Sequence, residues 1–372
     1  MQTNDKNDDS EKNFIEAERL MTICNSCRYC EGLCAVFPAM EMRRRFTEGD
    51  LNYLANLCHN CGACYSDCQF SPPHEFAVNV PQTLAKLRND TYELYCWPGI
   101  LRPLFIRNGL WISLIAALSI AAFFIGFALF NDMSAVFSVH TGPHAFYKLM
   151  PHNAMAVIFS AAFFYSCFAI FMGCRIFWKD IGEPIKTLHD VHALHNGVKD
   201  AATLHYLDGG GMGCVNDSEE PTDNRSIYHH LTFYGFLLCF AATCCATLWH
   251  YAFNRIAPYP WWDIPVVLGT LGGIGIIIGT IGLLIAKKKR LAVLKDGSRL
   301  GMDAAFILML LLTGVTGMLL LVFRATPFMG VLLALHLGFV FGFFITLPYS
   351  KFVHGFYRLL ALIRYAHEKK KL

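Results

Sequence analysis

The sequence predicts an all-α protein in two parts, a small helical N-terminal domain over residues 1–97 and a six-helix transmembrane bundle over residues 98–372. Three observations lead there. Six apolar stretches follow Trp97-Pro98, each near the roughly 20 residues that a bilayer-crossing helix needs. Hydrophobic residues make up 55% of the chain and charged residues 16%, a balance that fits a membrane protein. Between two cysteine runs near the N-terminus, Met40–Leu57 carries Met42, Phe46, Leu51, Tyr53, Leu54 and Leu57 without strand alternation.

The opening MQTNDKNDDSEKN is acidic and polar with no apolar core, so no secretory signal is expected there. The cysteine runs come next. Cys24, Cys27, Cys30 and Cys34 are spaced C-x2-C-x2-C-x3-C, and Cys58, Cys61, Cys64 and Cys68 repeat the pattern. A [4Fe–4S] cluster takes four thiolates, and in two-cluster ferredoxins the fourth cysteine of each run ligates the other cluster. The expected sets are therefore Cys24, Cys27, Cys30 and Cys68 for one cluster, and Cys58, Cys61, Cys64 and Cys34 for the other. That crossing pulls the clusters close enough to exchange electrons. A zinc site needs only four ligands, normally in two CxxC pairs. A disulfide framework would leave adjacent cysteines competing for many pairings. Pro38 and Pro72 stand four residues after the fourth cysteines, not directly after as in small βαββαβ ferredoxins, which favours an α-helical ferredoxin-type domain. Cys167, Cys174, Cys239, Cys244 and Cys245 lie in apolar stretches and read as small hydrophobes; Cys96 and Cys214 read as neutral.

The six apolar segments run about 104–130, 151–177, 230–253, 263–286, 303–323 and 328–349. The fourth is glycine-rich, which suits close helix approach. Only Arg324-Ala325-Thr326-Pro327 separates the last two, so a tight hairpin is expected. One set of loops carries Lys186, Lys199, Arg225, Lys287–Arg290, Lys295 and Arg299, joined by Lys351, Arg358, Arg364 and Lys369–Lys371 at the C-terminus. The opposite loops carry Lys148, Arg255 and Arg324. By the positive-inside tendency both termini, and the cysteine domain with them, face the cytoplasm of the inner membrane. A net charge of +3 and no basic patch interleaved with aromatics argue against nucleic acid as a partner.

Histidines mark both ends of these helices. His336 and His354 are 18 residues apart, five turns, which places them on one helix face about 27 Å apart. His229-His230 open the third segment and Trp249-His250 close it. By direction, His229 or His230 falls with His354 at the cytoplasmic side, and His250 with His336 toward the outer side. A lone histidine at a helix end ordinarily sits at the interface. Four that pair by depth favour two bis-histidine b-type haems. Helical phase prefers His229 over His230. Arg225 and Arg324 are candidate propionate partners or topology-setting charges in equal measure. The cytoplasmic loop 179–228 holds His189, His192, His195 and His205, which read as a solvated or membrane-surface helix because no cysteine or carboxylate completes a metal site. No strand–GxGxxG–helix context exists for a nucleotide.

The cysteine runs, Tyr228–Phe236, Gly209–Cys214 and Leu347–His354 together resemble the tricarballylate utilisation protein B family, also called citrate utilisation protein B, over nearly the whole chain. The ending Pro348–His354 is also similar to the haem subunit of respiratory nitrate reductase, where two histidines of one helix hold two haems. The resemblance implies an electron carrier that reoxidises the flavin of an FAD-dependent tricarballylate dehydrogenase and delivers electrons to membrane quinone. The other class is a redox-sensing anchor or transporter subunit. Transport predicts carboxylates near the bilayer midplane, and Asp263 and Asp303 lie at segment ends.

Overall fold

The computed structural model describes residues 2–211, 213–215, 222–297 and 300–370; Met212, Arg299 and Lys371 of the reading above lie outside them. Among the described residues the chain is all-α, with one isolated bridge between Cys214 and Thr222. The cysteine end is built from α1 (Gln2–Cys27), α2 (Val36–Glu41), α3 (Glu48–Leu57), α4 (Ala63–Ser66) and α5 (Val80–Leu94). Local chemistry starts these helices. Thr47 and Asp50 form a reciprocal capping box at α3, which satisfies two orphan N–H groups. Asn79 caps α5, with Pro81 in its first turn. Their apolar faces close on a core of Leu20, Met21, Tyr53, Leu54, Leu84 and Tyr92, all fully buried.

The second part holds α6 (Asn108–Phe130), the short α7 (Met133–Val136), α8 (His152–Asp180), α9 (Val191–Thr203), α10 (Asn224–Phe253), α11 (Ile264–Lys289), α12 (Leu300–Phe323), α13 (Met329–Thr346) and α14 (His354–Lys369). Six of the described helices are long and apolar enough to cross a membrane. Their outward faces expose Ile125, Leu129, Phe130, Phe164 and Phe171, which water would penalise and lipid does not. The glycine-rich segment packs as expected. A Cβ on Gly235 of α10 would lie 2.8 Å from the Gly272 carbonyl of α11, so only glycine admits that approach. The α12–α13 hairpin closes through residues 324–328.

Three expectations change. The third span begins at Asn224, so His229 and His230 lie inside the helix and not at its start. The helix-six phase argument does not apply, because the chain between His336 and His354 is not one helix. α13 stops at Thr346; 3₁₀ turns follow at Leu347–Tyr349 and Lys351–Val353, with Ser350 extended between them. Pro348 lacks the N–H that a continuing helix requires. Asn108 Nδ2 donates to the Tyr349 carbonyl at 2.5 Å, fixing the break against α6. Finally, α9 is solvated on one face only. Ala193 and Gly197 let it lie directly on α14, where a Cβ at Gly197 would come within 2.9 Å of the Ile363 backbone.

α14 in turn returns to the cysteine end. Its Arg364 bonds Glu368 at 2.9 Å and the Ile181 carbonyl at 2.6 Å, while Arg43 of the N-terminal part bonds Asp50 at 2.7 Å and Glu368 at 2.6 Å. Both guanidiniums lie over the buried Tyr53 ring, 4.2 and 4.8 Å from its centroid. The first and last thirds of the chain therefore share one polar core.

Candidate functional site

The connections between α1, α2, α3 and α4 bring the two cysteine runs together. All fifteen cysteines are free thiols. Cys24 has Cys30, Cys68 and Cys27 as its charged neighbours, and Cys30 has Cys68 and Cys27. Cys34 has Cys61 and Cys58; Cys64 has Cys61, Cys34 and Cys58 ahead of Cys30. Burial is the first cause of their perturbation, raising Cys24 and Cys30 to about 12 and Cys61 to about 11. Backbone N–H groups of Val36 and Phe37 point at Cys34 and that of Ala63 at Cys61; the Asn60 N–H donates to Cys58 Sγ at 3.3 Å. Donors aimed at sulfur suit thiolates that are held by a cationic core. Among the described residues no three His, Cys, Asp or Glu side chains converge tightly enough for a single metal ion. The donor set thus fits a polynuclear cluster better than tetrahedral zinc, whose bonds of about 2.3 Å draw four sulfurs together.

Cys34, Cys58, Cys61 and Cys64 line one cavity together with Phe37, His59 and Tyr206. The Gly209–Gly213 turn closes it from the side: a Cβ at Gly209 would meet that of Ala63 at 2.8 Å, and the Val215 N–H donates to the Cys61 carbonyl at 3.0 Å. The turn packs on the cysteine loop.

Beside that loop stands a group the sequence reading missed. Four arginines, from α5, α10, α14 and the end of α11, converge on the carbonyls of residues 56–60. Arg88 and Arg358 both donate to Cys58 O, at 2.6 and 2.8 Å, and Arg225 and Arg290 both donate to Asn60 O, at 2.7 and 2.5 Å. Carbonyl dipoles satisfy the hydrogen bonds, not the charge, and no carboxylate among the described residues forms an ion pair with any of the four. Burial, then Arg225, lowers Arg290 to about 9; burial, then Arg88, lowers Arg358 to about 10. His59 sits among them, and burial followed by Arg358 holds its pKa well below the ordinary value. The one sequence signal was His59 itself, placed inside a C-x2-C.

The histidines follow on the membrane side of these arginines. His229 of α10 and His354 of α14 face each other with ring centroids 6.1 Å apart and planes at 86°. With metal–imidazole bonds of about 2 Å each, rings on opposite sides of one ion stand roughly 6 Å apart. His354 Nδ1 meets the Lys351 carbonyl, which can only accept, so Nδ1 carries the proton and Nε2 keeps its lone pair. His229 Nδ1 is buried without a partner. If a haem were bound here, His229 and His354 would be the residues to hold its iron, which would supply one-electron chemistry. His230 instead stacks on Tyr234.

The outer pair is arranged differently. His250 stacks on His152 of α8, centroids 3.6 Å apart and planes at 15°. His336 bonds Thr316 Oγ1 at 3.1 Å, in space that Gly317 leaves open. His250 and His336 are not brought into ring contact. His152, the first residue of α8, was not singled out in the sequence. Arg225 belongs to the arginine group; Arg324 donates to the Tyr259 carbonyl at 2.8 Å and lies 4.6 Å from the Trp261 ring, so extramembrane groups occupy it.

Residues 103–372 match the family profile described as citrate utilization protein B, and residues 17–93 match the citrate utilization protein B Fer4-like domain. A relative from Escherichia coli, "Citrate utilization protein B", is 46% identical over 361 residues, covering 96% of this chain and 93% of that protein. No solved structure matches.

Proposed function

Because the chain belongs to the citrate utilization protein B family, with a Fer4-like N-terminal domain and six apolar helices, we propose that it is a multi-pass inner-membrane electron carrier that reoxidises the reduced flavin of a tricarballylate dehydrogenase and reduces membrane quinone. Two [4Fe–4S] clusters and b-type haem supply one-electron chemistry when bound. The observation that supports this reading is the arginine group, which bonds the Cys58 and Asn60 carbonyls and includes Arg225 and Arg358, the charged neighbours of His229 and His354. Cys24, Cys27, Cys30 and Cys68 are assigned to one cluster, and Cys34, Cys58, Cys61 and Cys64 to the other. The mutual proximity of Cys24, Cys30 and Cys68, and of Cys34, Cys58 and Cys61, supports that division. His229 and His354 hold the inner haem; His250 and His336 remain the candidates for an outer one, with His152 beside the first. Both termini and residues 1–97 face the cytoplasm, where Fe–S assembly finds a reducing milieu, and residues 98–372 form the membrane part. A reporter fused to the C-terminus that is active only outside the cytoplasm would reverse this orientation.

The test mixes substrate-reduced tricarballylate dehydrogenase anaerobically with this protein in nanodiscs. Cluster bleaching should precede haem reduction, and added ubiquinone analogue should reverse both. A haem that stays oxidised throughout, or a dehydrogenase that reduces quinone as fast alone, overturns the reading.

A further inference from the structure

A cleft of about 470 Å³ opens between α9 and α14, within the roughly 300–1,000 Å³ of small-molecule sites. It takes up His192 and His205, two of the four histidines of the 179–228 loop that no function above uses. Lys199, Lys369 and Lys370 line it with His192 and His205, and Asp200 is the one carboxylate. Asp200 is engaged by the Tyr206 hydroxyl. Lys370 reaches Asp190 at 3.5 Å, but with 60% of its side chain exposed that contact is loose. Tyr206 and Tyr365 complete the lining, edge to face at 5.9 Å, and the His205 ring packs against Tyr206 at 4.7 Å. Tyr206 also lines the cavity that holds Cys34, Cys58, Cys61 and Cys64. One side chain thus walls both spaces.

We propose that this cleft is the electron-entry port, binding the phosphate end of a reduced flavin nucleotide, free or carried by a partner flavoprotein, against Tyr206. The chemistry follows from the lining. Clustered ammonium and imidazole donors recognise a phosphate, and an aromatic floor takes a planar ring. The flavin hydroquinone gives up two electrons and two protons and becomes the oxidised flavin; each of two [4Fe–4S] centres accepts one electron, and the protons leave to solvent. The proposal rests on the electron-transfer reading, and its test separates the two.

Titration of the holoprotein with oxidised FMN needs no electron flow. FMN should bind wild type at least tenfold tighter than riboflavin, which lacks the phosphate, and K199E/K369E/K370E should abolish that difference. Tyr206→Leu should weaken FMN and riboflavin alike, keeping the tenfold preference for FMN, and at saturating reduced FMN should still slow cluster bleaching at least tenfold. Reduced methyl viologen, a cationic donor, should bleach the clusters of every variant at the wild-type rate or faster, which shows that they fold and load. Reduced dehydrogenase and free reduced FMN are run in parallel: a loss in the triple variant with either identifies the source and supports the port. FMN and riboflavin binding alike to wild type and triple variant, with neither donor slowed, overturns it. Wild-type clusters that methyl viologen cannot reduce defeat the electron-transfer reading instead, and the titration still decides the site.

Discussion

At the scale of single residues, the arginine group makes the sharpest statement. Arg88, Arg225, Arg290 and Arg358 place positive charge beside Cys58 and Cys61 without an ion-paired carboxylate among the described residues. A positive neighbour favours the more negative, reduced state of a cluster. Arg358→Gln should therefore lower the reduction potential of the cluster assigned to Cys34, Cys58, Cys61 and Cys64, by on the order of 1–2 kcal/mol across ~8–10 Å at an effective dielectric near 20. The other cluster should barely move. Potentiometric EPR checks this; equal shifts in both clusters would mean that the charge acts on the fold. Cys61→Ser should cost roughly half the cluster iron and sulfide. His354→Ala should remove the low-spin signal of the inner haem, and unchanged spectra would make the His229–His354 contact structural. The Fer4-like domain was legible because the two cysteine runs repeat one spacing. The arginines were not, because they come from four distant stretches and only packing gathers them. The same holds for His152: its partner His250 lies almost a hundred residues away.

Among the helices, the α10–α11 seam sets what can be changed. A Cβ on Gly275 would stand 3.0 Å from the Leu231 carbonyl, whereas one on Gly126 of α6 meets nothing within 4 Å. Gly275→Ala should therefore destabilise by about 1–3 kcal/mol through overpacking and loosen haem binding near His229, with Gly126→Ala as the silent control. Thermal stability in detergent together with haem retention reads both. At α9, Asp190 accepts the Ala193 N–H and meets His367 Nδ1 at 2.9 Å, and the His367 bond is the first cause holding its pKa down at about 2. A depressed carboxylate contributes fully above its unfolded value near 4 and loses that contribution as pH falls through its folded value. Protection of α9 from protease should thus persist down to about pH 4 and fade toward pH 2. Loss between pH 6 and 7 would assign the effect to histidine. Six spans, their hairpin and the glycine seam could be read from hydropathy and composition. The break after Thr346 could not, although Pro348 marked it, because a continuous helix explained His336 and His354 too neatly.

Taken as one molecule, the chain has no clean division at residue 97. Family profiles meet between residues 93 and 103, yet α14 docks on α3 through Arg364, Glu368 and Tyr53, and on α9 where Gly197 meets Ile363. Linear composition shows where apolar helices start; it does not show a tail that turns back. Truncation after residue 353 should leave the six spans in the membrane fraction while iron and sulfide fall to less than half of wild type. Full cluster content in the truncated protein would refute the shared core. The folded-back tail also imposes an order in time. Ribosomes release the cysteine runs first and α14 last, so the N-terminal part must wait, open and reduced, while every membrane helix is inserted behind it. In the proposed electron carrier, cluster loading would then be sealed only when α14 docks, and a nascent protein stalled before α14 would leave its cysteine end open.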